Sequence, residues 1–184
     1  MDQFAVRDAR HDEAGFIVQM IRQMVTDMAS YGGDAPATED EAWEKLTITL
    51  TTELQGENSK YVIAEAENGD RIGVAGAELR TLGGALAPKK TLHIGVVYVL
   101  PSLRRSGIGG KLMVRILEWG RSVGIEQCEL NVLSRNPARS LYEKLGFSVV
   151  AVKMVGSLRA VGLTCLDSSD HGGPNGFPTQ GPPG

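Results

Sequence analysis

TLHIGVVYVLPSLRRSGIGG, residues 91–110, is the stretch on which the interpretation of this sequence rests. Its first half is an apolar, β-branched run from Leu92 to Leu100 that ends at Pro101. Two arginines and a glycine-rich segment follow, and apolar residues then recur with helical spacing over residues 111–119. The pattern predicts a strand, a tight turn and the start of a helix. Backbone N–H groups at such a turn, together with the positive end of the helix dipole, form an anion site, and a diphosphate fits it best.

The spacing of the glycines separates three kinds of phosphate-binding motif. A Walker loop needs Ser or Thr directly after its lysine, but Leu112 follows Lys111. A dinucleotide-binding fingerprint needs a third glycine at position 112, where the same leucine stands. The pattern that fits is R-x-x-G-x-G, with Arg104, Gly107 and Gly109. Taken alone, this motif is also compatible with an ordinary glycine-rich turn between a strand and a helix.

A second segment, LNVLSRNPARSLYEKLGF at residues 130–147, strengthens the first motif. Together the two segments resemble the GNAT superfamily of acyl-CoA-dependent N-acetyltransferases. In that family R-x-x-G-x-G binds the acyl-CoA pyrophosphate, and the second signature is a strand followed by an asparagine and A-x-x-L-Y-x-x-x-G-F. The second match is carried by Asn136, Ala138, Leu141, Tyr142, Gly146 and Phe147. The resemblance is close over residues 91–155, loose over residues 1–90, and does not reach the C-terminal tail.

Composition narrows the class of protein. The 184 residues, 42% hydrophobic and 22% charged, fit one soluble globular domain with a sizeable core. A net charge of −3 argues against nucleic-acid or membrane-surface partners. Cys128 and Cys165 have neither metal-ligand spacing nor a disulfide framework, so we expect reduced thiols in a cytoplasmic protein. The N-terminus lacks the apolar run of a signal peptide, and no segment approaches the roughly 20 apolar residues of a membrane span.

Hydrophobic periodicity and turn signals predict the remaining elements. Strands are predicted at residues 4–7, 61–66, 71–82, 91–100, 128–132, 147–155 and 163–166. Helices are predicted at residues 12–28, 38–54, 109–122 and 136–145. The fold class is therefore α/β, as an α+β mixed sheet flanked by helices, and the resemblance implies a GNAT-like, mostly antiparallel, splayed sheet. We expect an acetyltransferase domain over residues 1–167 and a disordered Gly/Pro-rich tail over residues 168–184.

Acetyl-CoA is the co-substrate that the resemblance implies, and no metal is expected. Backbone N–H groups of residues 105–110 would hold the phosphates, with added charge from Arg104 and Arg105, which could instead be a solvated surface pair. The pantetheine arm would pair with the strand backbone near Tyr98 as an extra strand does. The residues predicted to bind the cofactor are Val97, Tyr98, Val99, Arg104, Arg105, Ser106, Gly107, Ile108, Gly109, Gly110, Lys111, Asn131 and Asn136.

Tyr142 matches the family tyrosine that gives a proton to the leaving thiolate. A phenol with a pKa near ~10 is protonated at neutral pH and lies within about two units of a thiol, so the transfer is feasible in direct contact. The alternative is that Tyr142 is an amphipathic core residue. Asn136 matches the residue that hydrogen-bonds the pantetheine arm. It could also cap the following helix, and the two roles are compatible.

The general base is less clear from the sequence. Glu78 and His93 are the candidates, although Glu78 could be salt-bridged or solvent-facing and His93 an ordinary half-buried strand residue. Strand alternation predicts residues 93, 95 and 97 on one face and 94, 96 and 98 on the other, without showing which face meets the substrate. Tyr31 and Asp34 lie in the loop that lines the acceptor pocket in the family. The acidic residues near this loop favour a cationic acceptor.

These features predict an N-acetyltransferase in which a primary amine of a small molecule attacks the thioester directly. Orienting the two reactants in this way can lower the barrier by ~7–11 kcal/mol. A peptide amine is an alternative acceptor. A non-catalytic acyl-CoA sensor on the same fold and a dinucleotide-dependent oxidoreductase are the alternative functions, against which Tyr142 and Leu112 respectively argue. Since family members are often dimers, the resemblance also predicts a homodimer.

Overall fold

A computed structural model of the chain describes residues 4–83 and 89–155. Its strands are β1 (Phe4–Asp8), β2 (Ser59–Ala66), β3 (Arg71–Leu82), β4 (Lys89–Val99) and β5 (Cys128–Leu130). Its helices are α1 (Ala14–Ala29), α2 (Asp40–Glu53), α3 (Ile108–Ser122) and α4 (Arg139–Lys144), with short 3-10 turns at His11–Glu13 and Pro101–Leu103. None of the helices in the described ranges is long and apolar enough to cross a membrane.

The five strands form one sheet in chain order, β1-β2-β3-β4-β5. The first three pairings are antiparallel, while β4 and β5 run parallel. The expected mixed, mostly antiparallel sheet is therefore confirmed. β5 ends at Leu130 rather than at residue 132, and it pairs with β4 only at Leu92, His93 and Ile94. β5 has no residue beyond Leu130, so the pairing ends there.

Helices cover both faces of the sheet. On one face Leu112, Met113 and Ile116 of α3 are fully buried. On the other face Ile17 of α1 and Leu50 of α2 are buried against the sheet. Burial of these apolar side chains supplies the main favourable term in folding. Each of these three helices thus buries apolar side chains against the sheet.

The small residues of β3 make room for neighbouring side chains. A Cβ at Gly76 would lie 2.2 Å from the Tyr61 ring, which crosses the glycine from the paired position on β2. A Cβ at Gly73 would lie 3.1 Å from the Tyr98 carbonyl oxygen and 3.2 Å from Leu112. The space beside these glycines is therefore filled by the protein's own side chains and backbone.

A β-bulge interrupts the centre of β4. Gly76 pairs with Val96 while the next residue, Ala77, pairs with Ile94, so Gly95 is an extra residue on β4. The alternation predicted across this strand is consequently wrong beyond position 95. Residues 94, 97 and 99 share the face covered by α3, whereas 96 and 98 share the face covered by α1 and α2. The bulge adds one residue to one strand only and shifts the side-chain period by one.

Two units are distinguished along the chain, residues 1–148 and residues 149–184. In the second unit the described residues, 149–155, form neither helix nor strand and are exposed. The strand predicted at 147–155 is therefore wrong. A β-branched run becomes a strand only where another strand supplies hydrogen bonds, and none pairs with it among the described residues. The strand predicted at 163–166 and the tail at 168–184 lie outside the described residues.

Candidate active site

The glycine turn between β4 and α3 presents a row of unpaired backbone donors. Two of its residues are left-handed, Arg105 with φ 70° and Gly107 with φ 86°. The first helical hydrogen bond runs from the Lys111 N–H to the Gly107 carbonyl at 3.2 Å. Among the described residues no acceptor meets the N–H groups of residues 105–110. Donors of this kind at a helix N-terminus suit the oxygens of a diphosphate.

The absence of side chains at the glycines keeps this turn accessible. A Cβ at Gly107 would have nothing within 4 Å, and φ 86° is a conformation that residues other than glycine rarely adopt. A Cβ at Gly109 would lie 3.3 Å from Leu141 Cδ2. Leu141 belongs to α4, so the second sequence motif packs directly on the first. This packing brings Tyr142 to the same region as the glycine turn.

Arg104 is anchored within the protein. Its Nε donates to the Val99 carbonyl at 3.1 Å, its guanidinium lies 5.3 Å from the centre of the Tyr98 ring, and it forms an ion pair with Asp27. The Tyr98 hydroxyl donates to the same Asp27 carboxylate at 3.2 Å. Burial, followed by the Asp27 charge, raises the pKa of Tyr98 and keeps the phenol a donor. Arg105, by contrast, is exposed and has no ion-pair partner in the described part of the chain.

Asp27 was missed by the sequence analysis. It lies on α1 and follows Met20 and Met24 on the helix stripe that turns toward the sheet. An acidic residue continuing an apolar stripe was the available signal. The role of Arg104 as a phosphate ligand stays a prediction, since in this structure the guanidinium holds the turn to α1.

The half of β4 that follows the bulge has an open edge. β5 pairs with no residue beyond Ile94, so within the described ranges residues 95–99 of β4 have a strand partner only in β3. Such an edge can accept an extended chain that carries amide groups. This is the stretch, Val97 to Val99, predicted to pair with pantetheine. One of its groups, the Val99 carbonyl, already accepts the Arg104 hydrogen bond.

Tyr142 is both a core residue and an accessible acid. It is 9% exposed, packs in the α3 core cluster, and meets Phe147 edge-to-face at 6.2 Å. Its hydroxyl makes no hydrogen bond, and no side-chain polar atom of the described residues is both fully buried and unpartnered. The oxygen therefore reaches the protein surface. Burial raises the pKa of Tyr142, which keeps it protonated at neutral pH.

The other predicted cofactor residues vary in their surroundings. Asn136 Oδ1 accepts from the Ala138 N–H at 2.9 Å, so the asparagine closes the turn before α4 and delays the helix, predicted from 136, to Arg139. Asn131 is exposed just beyond β5. The Ser106 hydroxyl donates to the Leu103 carbonyl at 2.6 Å, and the Lys111 ammonium lies 4.9 Å from the centre of the Phe4 ring. Ile108 is buried at 3% exposure, while Gly110 is half-buried.

The two predicted base candidates are neighbours in the sheet. Glu78 on β3 pairs with His93 on β4, and His93 pairs with Glu129 on β5. The three side chains therefore form a row on the face opposite α3. Glu78 Oε1 accepts from Arg80 Nε at 2.9 Å, whereas His93 is 8% exposed with Nδ1 at 3.3 Å from Glu129 Oε1. Sequence analysis missed Glu129, because its position opposite His93 depends on the β4–β5 register.

The loop between α1 and α2 lies against the loop that follows β5. A Cβ at Gly33 would be 3.0 Å from Leu133 Cδ1, so the two loops are in contact. Tyr31 is half-buried, while Asp34 is exposed. The predicted acceptor residues thus lie on the α1 side of the glycine turn. Their contact with a substrate stays a prediction.

Comparison with known proteins gives one family and many structures of similar fold. The model of the Acetyltransferase (GNAT) family matches residues 19–147. No curated protein sequence matches the chain.

Three of the similar structures show which kinds of protein share this fold. A single-residue mutant of the BH1408 protein of Bacillus halodurans has a TM-score of 0.73 at 20% identity, covering 84% of this chain and 99% of its own. The aminoglycoside N-acetyltransferase AAC(6')-Iy in complex with CoA has a TM-score of 0.66 at 20% identity, with 85% and 95% covered. Glucosamine-6-phosphate N-acetyltransferase of Arabidopsis thaliana has a TM-score of 0.61 at 17% identity, with 85% and 99% covered.

Proposed function

Since this chain belongs to the GNAT acetyltransferase family and is an acyl-CoA-dependent N-acyltransferase, we propose that it transfers the acetyl group of acetyl-CoA to a primary amine of a small molecule. One observation carries the proposal. Backbone N–H groups of residues 105–110 have no acceptor in the described chain and lie beside Tyr142, whose hydroxyl is accessible and unpaired. A diphosphate held at the turn would bring the attached thioester along the open edge of β4 toward that phenol.

The reaction uses few groups of the chain. The amine nitrogen attacks the thioester carbonyl, a C–N bond forms, and the C–S bond breaks. Tyr142 gives its proton to the departing sulfur, and the phenolate is reprotonated from solvent. The amine loses a proton to a base on the protein or to water. Holding both reactants in line lowers the barrier to the attack.

A small cationic amine is the acceptor class that we favour. The row containing Glu78 and Glu129, together with Asp34, places carboxylates on the α1 side of the sheet. Two structures of the same fold are named as enzymes acting on amino sugars, an aminoglycoside N-acetyltransferase and a glucosamine-6-phosphate N-acetyltransferase. A peptide amine remains the alternative acceptor, and a homodimer remains the predicted assembly.

The test is a turnover assay with purified full-length protein. Acetyl-CoA is supplied with a panel of amines, namely neamine, glucosamine 6-phosphate, spermidine, lysine and a peptide with a free N-terminus. Release of free thiol is followed, and the product is identified by its added acetyl mass. We expect at least one small amine to be acetylated and Tyr142→Phe to slow it.

Two results would contradict the proposal. Binding of CoA without turnover of any amine would favour the sensor. Binding of a nicotinamide dinucleotide in place of CoA would favour the oxidoreductase.

A further inference from the structure

We propose that Glu129 is a positioning residue that holds His93 as the proton acceptor for the attacking amine, in an acceptor pocket whose floor is the Gly95 bulge. The inference rests on the proposed function and names the residues of its acceptor side. Three observations support it. Glu78, His93 and Glu129 form a row across three strands, their hydrogen bonds differ, and the space beside Gly95 is open.

The pairing register of β3, β4 and β5 determines which side chains are neighbours across the sheet. His93 is opposite Glu78 on the antiparallel side and opposite Glu129 on the parallel side. Paired residues in adjacent strands project to the same face of the sheet. His93 therefore lies between two carboxylates, on the face that α1 and α2 cover elsewhere. Each acidic side chain is partly exposed, 43% for Glu78 and 37% for Glu129.

The hydrogen bonds distinguish the two acids. The Glu78 oxygen receives two donors from Arg80, at 2.9 Å from Nε and 2.5 Å from Nη2. The Glu78 side chain is therefore held by Arg80 and has no hydrogen bond to His93 among the described contacts. Glu129 instead lies 3.3 Å from His93 Nδ1. A carboxylate can only accept, so the contact places the proton on Nδ1 and leaves Nε2 with its lone pair.

Gly95 provides the space that an acceptor needs. It is exposed in the middle of a strand whose neighbours Ile94 and Val96 are buried. A Cβ built on Gly95 would meet only the Cδ2 atom of His93, at 3.9 Å. The histidine ring therefore borders an open floor next to Ile94, where β5 ends and where the thioester is expected.

The proton transfer balances within this pocket. An ammonium acceptor gives one proton to His93 Nε2, directly or through one water, and becomes a free amine. Its lone pair then forms the C–N bond, the C–S bond breaks as described above, and the nitrogen of the new amide gives its second proton to water. The imidazolium is stabilised by Glu129 and returns its proton to solvent.

Kinetics with the amine that reacts fastest in the panel test the inference. We expect His93→Ala to lower kcat about a hundredfold and Glu129→Ala at least about tenfold, with the KM for acetyl-CoA unchanged. Glu129→Gln offers an amide that can donate to Nδ1 as well as accept from it, so it no longer fixes the tautomer and should be slowed about as much as Glu129→Ala. In the His93→Ala background, Glu129→Ala should have almost no further effect, because a residue that acts through another is not additive with it. Glu126→Ala, which removes an exposed carboxylate near the start of β5, is the matched control.

Additive losses in the double variant, or full activity in Glu129→Ala, would overturn the inference. A second measurement needs no acceptor. In protein labelled with 15N-histidine, the neutral His93 ring should be the Nδ1–H tautomer in the wild type and should shift toward Nε2–H in Glu129→Ala. An Nε2–H ring in the wild type would also overturn it. If the panel yields no product while the tautomer depends on Glu129, the proposed function fails and the positioning contact stands.

Discussion

Replacing Glu13 tests the network that joins the start of α1 to the sheet. The Glu13 carboxylate is 2% exposed and accepts hydrogen bonds from Arg7 Nη1 at 2.7 Å and Nη2 at 2.8 Å. It also accepts the Arg10 backbone N–H at 2.9 Å and lies 3.7 Å from Arg71. Arg7 in turn binds Glu65. One buried carboxylate thus ties β1, β2 and β3 to the first helix.

The size of the effect follows from the pKa of Glu13. The hydrogen bonds from Arg7 outweigh burial and, with the Arg10 N–H, lower this pKa from 4.5 to about 2. A difference of this size corresponds to about 3 kcal/mol of folding free energy. Because the folded-state pKa is the lower one, the stabilisation is fully present above pH 4.5 and is lost as the pH falls toward about 2.

We therefore expect Glu13→Gln to reduce the free energy of unfolding by about 3 kcal/mol at neutral pH. Urea unfolding followed by circular dichroism, repeated at decreasing pH, measures the difference from the wild type. That difference should shrink as the wild-type carboxylate becomes protonated. Asp12→Asn is the control, because Asp12 is 65% exposed and contacts Arg10 only at 3.4 Å. A Glu13→Gln difference that stays constant with pH would refute the reasoning.

Three further substitutions separate catalysis, cofactor binding and packing. Tyr142→Phe should lower kcat at least about tenfold, with unchanged CoA affinity and unfolding free energy, because the hydroxyl has no partner in the protein; unchanged turnover would remove the phenol from the mechanism. Gly109→Ala should weaken CoA binding at least about tenfold by calorimetry, since its methyl group would lie 3.3 Å from Leu141 Cδ2 and displace the turn from α4. Its control is Gly124→Ala, which alters a left-handed glycine with φ 76° at the far end of α3 and should cost about 1 kcal/mol of stability without changing CoA affinity. Equal CoA affinity in the two variants would contradict the assignment of the glycine turn as the diphosphate site. Gly76→Ala should cost about 3 kcal/mol, because its Cβ would lie 2.2 Å from the Tyr61 ring, and a wild-type melting temperature would show that the ring moves freely.

Local patterns predicted the parts of the fold that depend on neighbouring residues. The glycine turn, the amphipathic helices and the position of Tyr142 follow from spacing that is visible in the sequence. The start of α4 was displaced by a few residues, because the Asn136 side chain stabilises a turn where a helix was expected. β5 ends earlier than predicted, at the last residue that pairs with β4. The run at 147–155 has strand composition without a strand partner among the described residues.

Contacts between residues that are far apart in the sequence could not be predicted. Arg104 was assigned to the phosphates from its place in the motif, but it is bound by Asp27, from a helix far earlier in the chain. Glu129 meets His93 only because β5 runs parallel to β4 in one register. The bulge could not be predicted either. Residues on both faces of β4 are largely apolar, so its sequence has no polar–apolar alternation that an extra residue would interrupt.

Gly95 can be regarded as an insertion that the sheet itself does not require. Ile94 and Val96 pair with the adjacent residues Ala77 and Gly76 and project to opposite faces, as consecutive residues of a regular strand do. Deleting the glycine would leave every core side chain on its own face, so the shortened chain is expected to fold. It would, however, straighten β4 and remove the open floor beside His93. Selection for function, and not for stability, then explains why the extra residue is retained.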